Sequence, residues 1–144
     1  MPKVTTHIQS PLQPAEVLRI LTDFGPDRSK AWPGVDDEHL LLHEQGEGFA
    51  DVTEGNDTTW ERERYTWTPD GKKVAAETTE SNVWAVGSRW DYTLTPVDDS
   101  TLVTVTLTRF GKNLKGKLFA ALLPILGRSV VTKSLSAAFQ ASGT

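Results

Sequence analysis

Glu61, Glu63 and Asp51, with Arg109 as their counter-charge, are the residues of this chain whose types suit acid–base chemistry. A carboxyl taken out of water beside a guanidinium can hold or release a proton near neutral pH, as general acid–base catalysis requires. Glu61 and Glu63 are therefore the two candidate catalytic residues. Other chemistries lack their parts. The chain has no cysteine, which excludes a thiol nucleophile, a thiolate metal site and disulfides. Gly46-Glu47-Gly48 lacks the third glycine and the following helix of a dinucleotide loop. His39 and His43 stand four apart beside Asp36, Asp37 and Glu38. The Leu40-Leu41-Leu42 between them reads as strand, where four residues span ~13 Å, too far for one ion. No metal and no cofactor is expected.

The elements that must position these groups are mostly strands. Strand period is two, so each strand offers two faces. In the stretch from Leu102 to Arg109, Val103, Val105, Leu107 and then Arg109 share a face. From Ser88 to Thr95, Trp90, Tyr92 and Leu94 form the apolar face, and Arg89, Asp91 and Thr93 face water. From Trp60 to Thr68 one face is Trp60, Arg62, Arg64 and Thr66; the other is Glu61, Glu63, Tyr65 and Trp67. Tyr65 and Trp67 argue that the second face is inward, where buried acids need a partner such as Arg109 or a ligand group. The reversed register, with both acids in solvent, stays open. Further strands are expected at Val4–Ile8, Leu40–Glu44, Phe49–Glu54 and Val74–Ser81. Parity puts His7 opposite Val4, Thr6 and Ile8, in solvent. Short turns such as Pro69-Asp70-Gly71 favour antiparallel pairing.

Helices flank this meander. Pro14 to Leu21 reads as a helix with proline in its first turn, and a turn or second short helix follows before Trp32. Leu114 to Ala141 reads as one long apolar helix. At ~100° per residue, Leu114, Leu118, Phe119, Leu122, Ile125 and Leu126 fall on one side of it, whereas Val131, Leu135, Ala138 and Phe139 fall nearly opposite. Pro124 removes a helical hydrogen bond, and a break between Pro124 and Gly127 is expected to let both stripes face the sheet. The fold class is thus α+β: a curved antiparallel sheet of about seven strands wrapped around a long C-terminal helix, with one or two short helices after the first strand.

Composition fits a single domain over residues 1–144. Fifteen basic and 19 acidic residues give a net charge of −4, which argues against a nucleic-acid partner. Lys112, Lys115 and Lys117 cluster where no acid follows Asp99, either as a solvated helix start or as a site for an anionic membrane or headgroup. No secretory leader is expected at Met1–Thr6, and the Leu118–Leu126 run is short for a membrane span, so a cytoplasmic location is the default.

Aromatic residues are the strongest functional signal. Trp32, Phe49, Tyr65, Trp84, Trp90, Tyr92 and Phe119 are spread over nearly every element. With Val105 and Leu122 they are expected to line a cavity between sheet and helix. Asp51, Glu61, Glu63 and Arg109 would supply its polar groups.

The order of elements and several local segments resemble the START-like superfamily, the helix-grip fold of polyketide cyclase/dehydrase-like proteins and lipid-transfer domains. The matching pieces include Pro14 to Asp23, Trp32-Pro33-Gly34-Val35, Gly46-Glu47-Gly48, Trp60-Glu61-Arg62, Thr93 to Val97 and Thr101 to Thr104. The resemblance implies a pocket for a polyketide, lipid or isoprenoid, with Glu61 and Trp90 facing it. Relatives often carry a basic residue shortly after the Gly-x-Gly; Asp51 stands there instead. The leading expectation is a hydrophobic small-molecule binder or carrier, monomeric or homodimeric. Two alternatives are a polyketide cyclase, aromatase or dehydratase using the pocket carboxylates, and a module touching a membrane or partner through Leu118–Leu126.

Overall fold

A computed structural model of the chain describes residues 3–142. The elements run β1 (Lys3–Ser10), α1 (Pro14–Thr22), α2 (Arg28–Ala31), a 3-10 turn (Asp37–His39), β2 (Leu41–Gly46), β3 (Phe49–Gly55), β4 (Trp60–Trp67), β5 (Lys73–Ser81), β6 (Arg89–Val97), β7 (Ser100–Thr108) and α3 (Leu114–Ser142). All seven strands form one antiparallel sheet in the order β1-β7-β6-β5-β4-β3-β2. β2 to β7 are sequential neighbours because tight turns join them, whereas β1 crosses over to pair with β7 after the helical excursion.

One face of this sheet carries the core. Val4 and Ile8 of β1 lie opposite Leu107 and Val103 of β7, and Tyr92 of β6 lies opposite Val105. The alternation on β1, β4 and β7 is regular: Val4, Thr6 and Ile8, then Glu61, Glu63 and Tyr65, then Val103, Val105 and Leu107, are buried. His7 is on the outer face, against Thr104. The reversed register for β4 does not occur. A bulge between Arg62 and Glu63 sets Glu61 opposite Ser81 and Glu63 opposite Thr78. Such a bulge re-aims side chains locally.

α1 starts at Pro14, whose missing N–H costs nothing in a first turn, and buries Val17, Ile20 and Leu21. α3 packs on β1, α1 and α2. It is one continuous helix through Pro124, so the expected break is absent. The reason lies in which residues form the seam. Gly116, Ala120, Leu123, Gly127, Val131, Leu135 and Ala138 are buried, and they recur every three or four positions along one stripe. A Cβ on Gly116 would collide with the Val83 carbonyl, and one on Gly127 would press on Leu123 and Val4. Small residues let the helix come close to its neighbours. The leucine-rich stripe is split: Leu118 is 60% exposed and Ile125 76%, whereas Phe119, Leu122 and Leu126 border the space between helix and sheet. Pro124 lies on the exposed side. By length and composition Leu114–Gln140 is apolar enough to cross a membrane, which the shorter Leu118–Leu126 run does not suggest.

Candidate functional site

The sheet and α3 do not close on each other completely. A cavity of about 510 Å³ remains between them. Trp90, Tyr92 and Leu107 of β6 and β7 wall it on the sheet side, and Leu123, Leu126 and Val130 on the helix side. Phe119, Leu122, Trp84 and the Trp32–Val35 loop complete its rim. Gly127 and Ser134 are the shortest of the α3 residues that line it. Trp90 and Tyr92 stack with their centroids 6.1 Å apart, and Trp84 meets Phe119 at 6.4 Å. The lining is mostly apolar, and its charged groups, Arg28, Glu54, Glu61, Glu63 and Arg109, interact as one cluster, as in many small-molecule sites.

That cluster holds two buried ion pairs. Arg109 donates to both oxygens of Glu61, at 3.0 and 2.8 Å, and Thr78 Oγ1 donates to Glu61 Oε1 at 2.8 Å. The Arg109 guanidinium also lies 4.8 Å from the Trp84 ring and 5.5 Å from the Trp90 ring. Arg28 donates to both oxygens of Glu54, at 3.0 and 3.2 Å, and to Tyr65 OH at 3.0 Å. Its remaining nitrogen reaches the carbonyls of Ile20 and Leu21 at 3.1 and 3.0 Å, near the end of α1, where orphan carbonyls need donors. Tyr65 in turn donates to Glu54.

Glu63 shares the cluster without sharing a cation. It is 3% exposed, and its Oε2 has no hydrogen-bond partner among the described residues. Burial, then the negative charges of Glu61 and Glu54, push its carboxyl well above the ordinary range. Glu61 goes the other way. Burial raises it, but the Arg109 guanidinium and the Thr78 hydroxyl outweigh burial and hold it below its usual value. Tyr65 and Tyr92 are both pushed up, by burial first and then by Glu54 and Glu63 respectively. The floor thus offers two neutralised pairs and one carboxyl whose neutral form burial favours. Such a set can orient a polar group or deliver a proton.

The family model for polyketide cyclase / dehydrase and lipid transport matches residues 1–139. The chain belongs to this family. The ZhuI aromatase/cyclase from Streptomyces sp. R1128 superposes with a TM-score of 0.78 at 14% identity, covering 98% of this chain and 93% of that one. TTHA0849 from Thermus thermophilus gives 0.79 at 16% identity, covering 98% and 97%. A START superfamily protein from Mycobacterium smegmatis gives 0.65 at 12% identity, covering 93% and 97%. At these identities the likeness is one of fold. No curated protein sequence matches the chain.

Within this cyclase/dehydrase-family fold, ten of the expected site residues line the cavity: Trp32, Glu61, Glu63, Tyr65, Trp84, Trp90, Tyr92, Arg109, Phe119 and Leu122. Three do not. Phe49 and Asp51 alternate with buried Ala50, Val52 and Glu54, so they point to the outer face of β3. There Asp51 pairs with Arg62 at 2.9 and 2.8 Å, and Arg64 covers the Phe49 ring at 4.7 Å. Val105 faces inward but is sealed in the core beside Val103 and Leu94, away from the cavity wall. Two charged residues of the lining, Glu54 and Arg28, lie outside the expected set. Glu54 was readable from the parity of β3, because it continues the Ala50-Val52 face. Arg28 was not, because α2 is one turn long and carries no periodicity. His39 uses its ring nitrogens on Asp36 and Asp57, at 2.7 and 3.1 Å, and His43 meets Thr53 at 2.7 Å.

Proposed function

We propose that this chain binds and carries a hydrophobic small molecule of polyketide, lipid or isoprenoid type in the cavity beneath α3. One observation carries the reading: a space of about 510 Å³ lined by Trp32, Trp84, Trp90, Tyr92 and Phe119 and by a cluster of charged groups. That volume suits a molecule of two to four fused rings or an equivalent chain. Burying such a molecule removes apolar surface from water on both partners, at roughly 25 cal/mol per Å². Titration with N-phenyl-1-naphthylamine, an uncharged apolar fluorophore, tests it. Saturable one-to-one binding with quenching of tryptophan emission supports the reading, and Trp90→Phe should weaken the quenching. Absence of saturable binding contradicts it.

A second reading is favoured by Glu63. A protonated carboxyl in an apolar cavity can serve as a general acid in the cyclisation or dehydration of a bound polyketide-like molecule, with Glu61 fixed as an anion beside it. Glu63→Gln should then abolish turnover of a poly-β-ketone substrate while leaving its binding within a few-fold.

The exposed strip of α3 supports one further element. Leu114, Leu118, Leu122 and Ile125 are exposed on the helix that also walls the cavity. Lys112, Lys115, Lys117 and Arg128 flank them, with no acid after Asp99. That arrangement supports peripheral contact with an anionic membrane. Sedimentation with phosphatidylserine vesicles, compared with neutral phosphatidylcholine vesicles, tests it. Equal failure to sediment with both removes this element.

A further inference from the structure

We propose that the cavity selects an uncharged, largely apolar molecule bearing a carbonyl or hydroxyl oxygen, and discriminates against carboxylates and other anions. The inference rests on the small-molecule reading above and adds the chemical class of the ligand's polar end. It comes from the charges at the cavity floor and from what each already contacts.

Two cations are buried there, and each is already paired with a carboxylate. Arg109 meets both oxygens of Glu61, and its flat face lies on Trp84 and Trp90. Arg28 meets both oxygens of Glu54, then Tyr65 OH and the Ile20 and Leu21 carbonyls, with Phe24 and Trp32 against its plane. Bidentate pairing of this kind uses the geometry that would otherwise capture a carboxylate. A ligand carboxylate would lose its water and find each guanidinium already neutralised. It would also add negative charge beside Glu54 and Glu61.

Two other groups each keep one buried polar atom without a partner. The Glu63 carboxyl has an unpartnered Oε2, and the Trp32 indole Nε1 is buried without an acceptor among the described residues. Both residues line the cavity. Ionised, Glu63 would be a third negative charge among two positive ones. As a neutral carboxyl it can both donate and accept a hydrogen bond, whereas an indole N–H can only donate. A ligand carbonyl or hydroxyl answers the first, and either oxygen answers the second. A pure hydrocarbon answers neither and leaves both desolvated.

Four naphthalenes that differ at one position make the test: naphthalene, 2-acetylnaphthalene, 2-naphthol and 2-naphthoate, titrated calorimetrically at neutral pH. The ketone and the naphthol are expected to bind at least tenfold more tightly than the naphthoate, and several-fold more tightly than naphthalene. Glu63→Gln, which keeps a neutral donor and acceptor, should preserve that order. Glu63→Leu should bring the ketone within about twofold of naphthalene. Trp32→Phe should weaken the ketone more than the hydrocarbon, and it serves if Glu63→Leu fails to fold. Naphthoate binding as tightly as the ketone overturns the proposal. So does a ketone preference unchanged in every folded variant among Glu63→Leu and Trp32→Phe. Failure of all four compounds to saturate overturns the small-molecule reading itself, a result distinct from loss of selectivity.

Discussion

Replacing Arg109 by methionine isolates the energetic role of the cavity floor. Arg109 is 5% exposed and donates to both oxygens of Glu61, which is itself buried. Methionine keeps much of the volume but strands the Glu61 carboxylate with only Thr78 as a donor. Breaking a buried pair by removing one partner costs about 3–5 kcal/mol, most of it the penalty of an uncompensated charge. With a urea m-value of about 2 kcal/mol per M, the denaturation midpoint should fall by roughly 2 M. Arg109→Met/Glu61→Gln should recover part of that loss, because the stranded charge is gone. The assay is urea denaturation followed by far-UV circular dichroism, on both single variants and the double. A midpoint unchanged in Arg109→Met refutes the reasoning. So does a double variant whose loss equals the sum of the two single losses, since additivity would mean that the groups are not coupled.

Other outcomes follow from the same structure. Glu63 is held above its ordinary pKa by burial and then by Glu61 and Glu54, so folding takes up a proton. Its contribution is complete below the ordinary carboxylate pKa and is lost as pH rises towards the folded value. The stability of Glu63→Gln relative to the parent should therefore climb as pH rises above the ordinary carboxyl value of 4.5; a pH-independent difference contradicts this. Tyr65→Phe removes the hydroxyl between Arg28 and Glu54 and should cost about 1–3 kcal/mol in the same denaturation assay. Gly116→Ala should lose about 1–3 kcal/mol, because its methyl meets the Val83 carbonyl. Asp51→Asn, on the outer face of β3, should leave the affinity for N-phenyl-1-naphthylamine unchanged, and a several-fold loss would return Asp51 to the cavity.

Much of the site is legible in the sequence because strand parity is rigid. A two-residue period fixes Glu61, Glu63 and Tyr65 on one face once Tyr65 is known to be inward, and it links Arg109 to Val103, Val105 and Leu107. Phe49 and Asp51 obey the same parity on the opposite face: Ala50, Val52 and Glu54 hold the inner face, and an aromatic ring can lie on the outside beneath Arg64. The helix seam is harder to read. Hydrophobicity ranks leucine above glycine and alanine, yet close packing selected Gly116, Ala120 and Gly127 and left Leu118 and Ile125 outside. Arg28 depends on the path of the chain between α1 and β2, and no local pattern encodes that path.

The position of a bound ligand tests the central claim most directly. Crystals grown with 2-acetyl-6-bromonaphthalene would reveal the bromine by its anomalous scattering. That peak is expected between the β6–β7 wall and α3, within van der Waals contact of Trp90 or Leu123, with the acetyl oxygen towards Glu63 and Trp32. Bromine found only on the outer strip of α3, or an occupied site anywhere but this cavity, would contradict it.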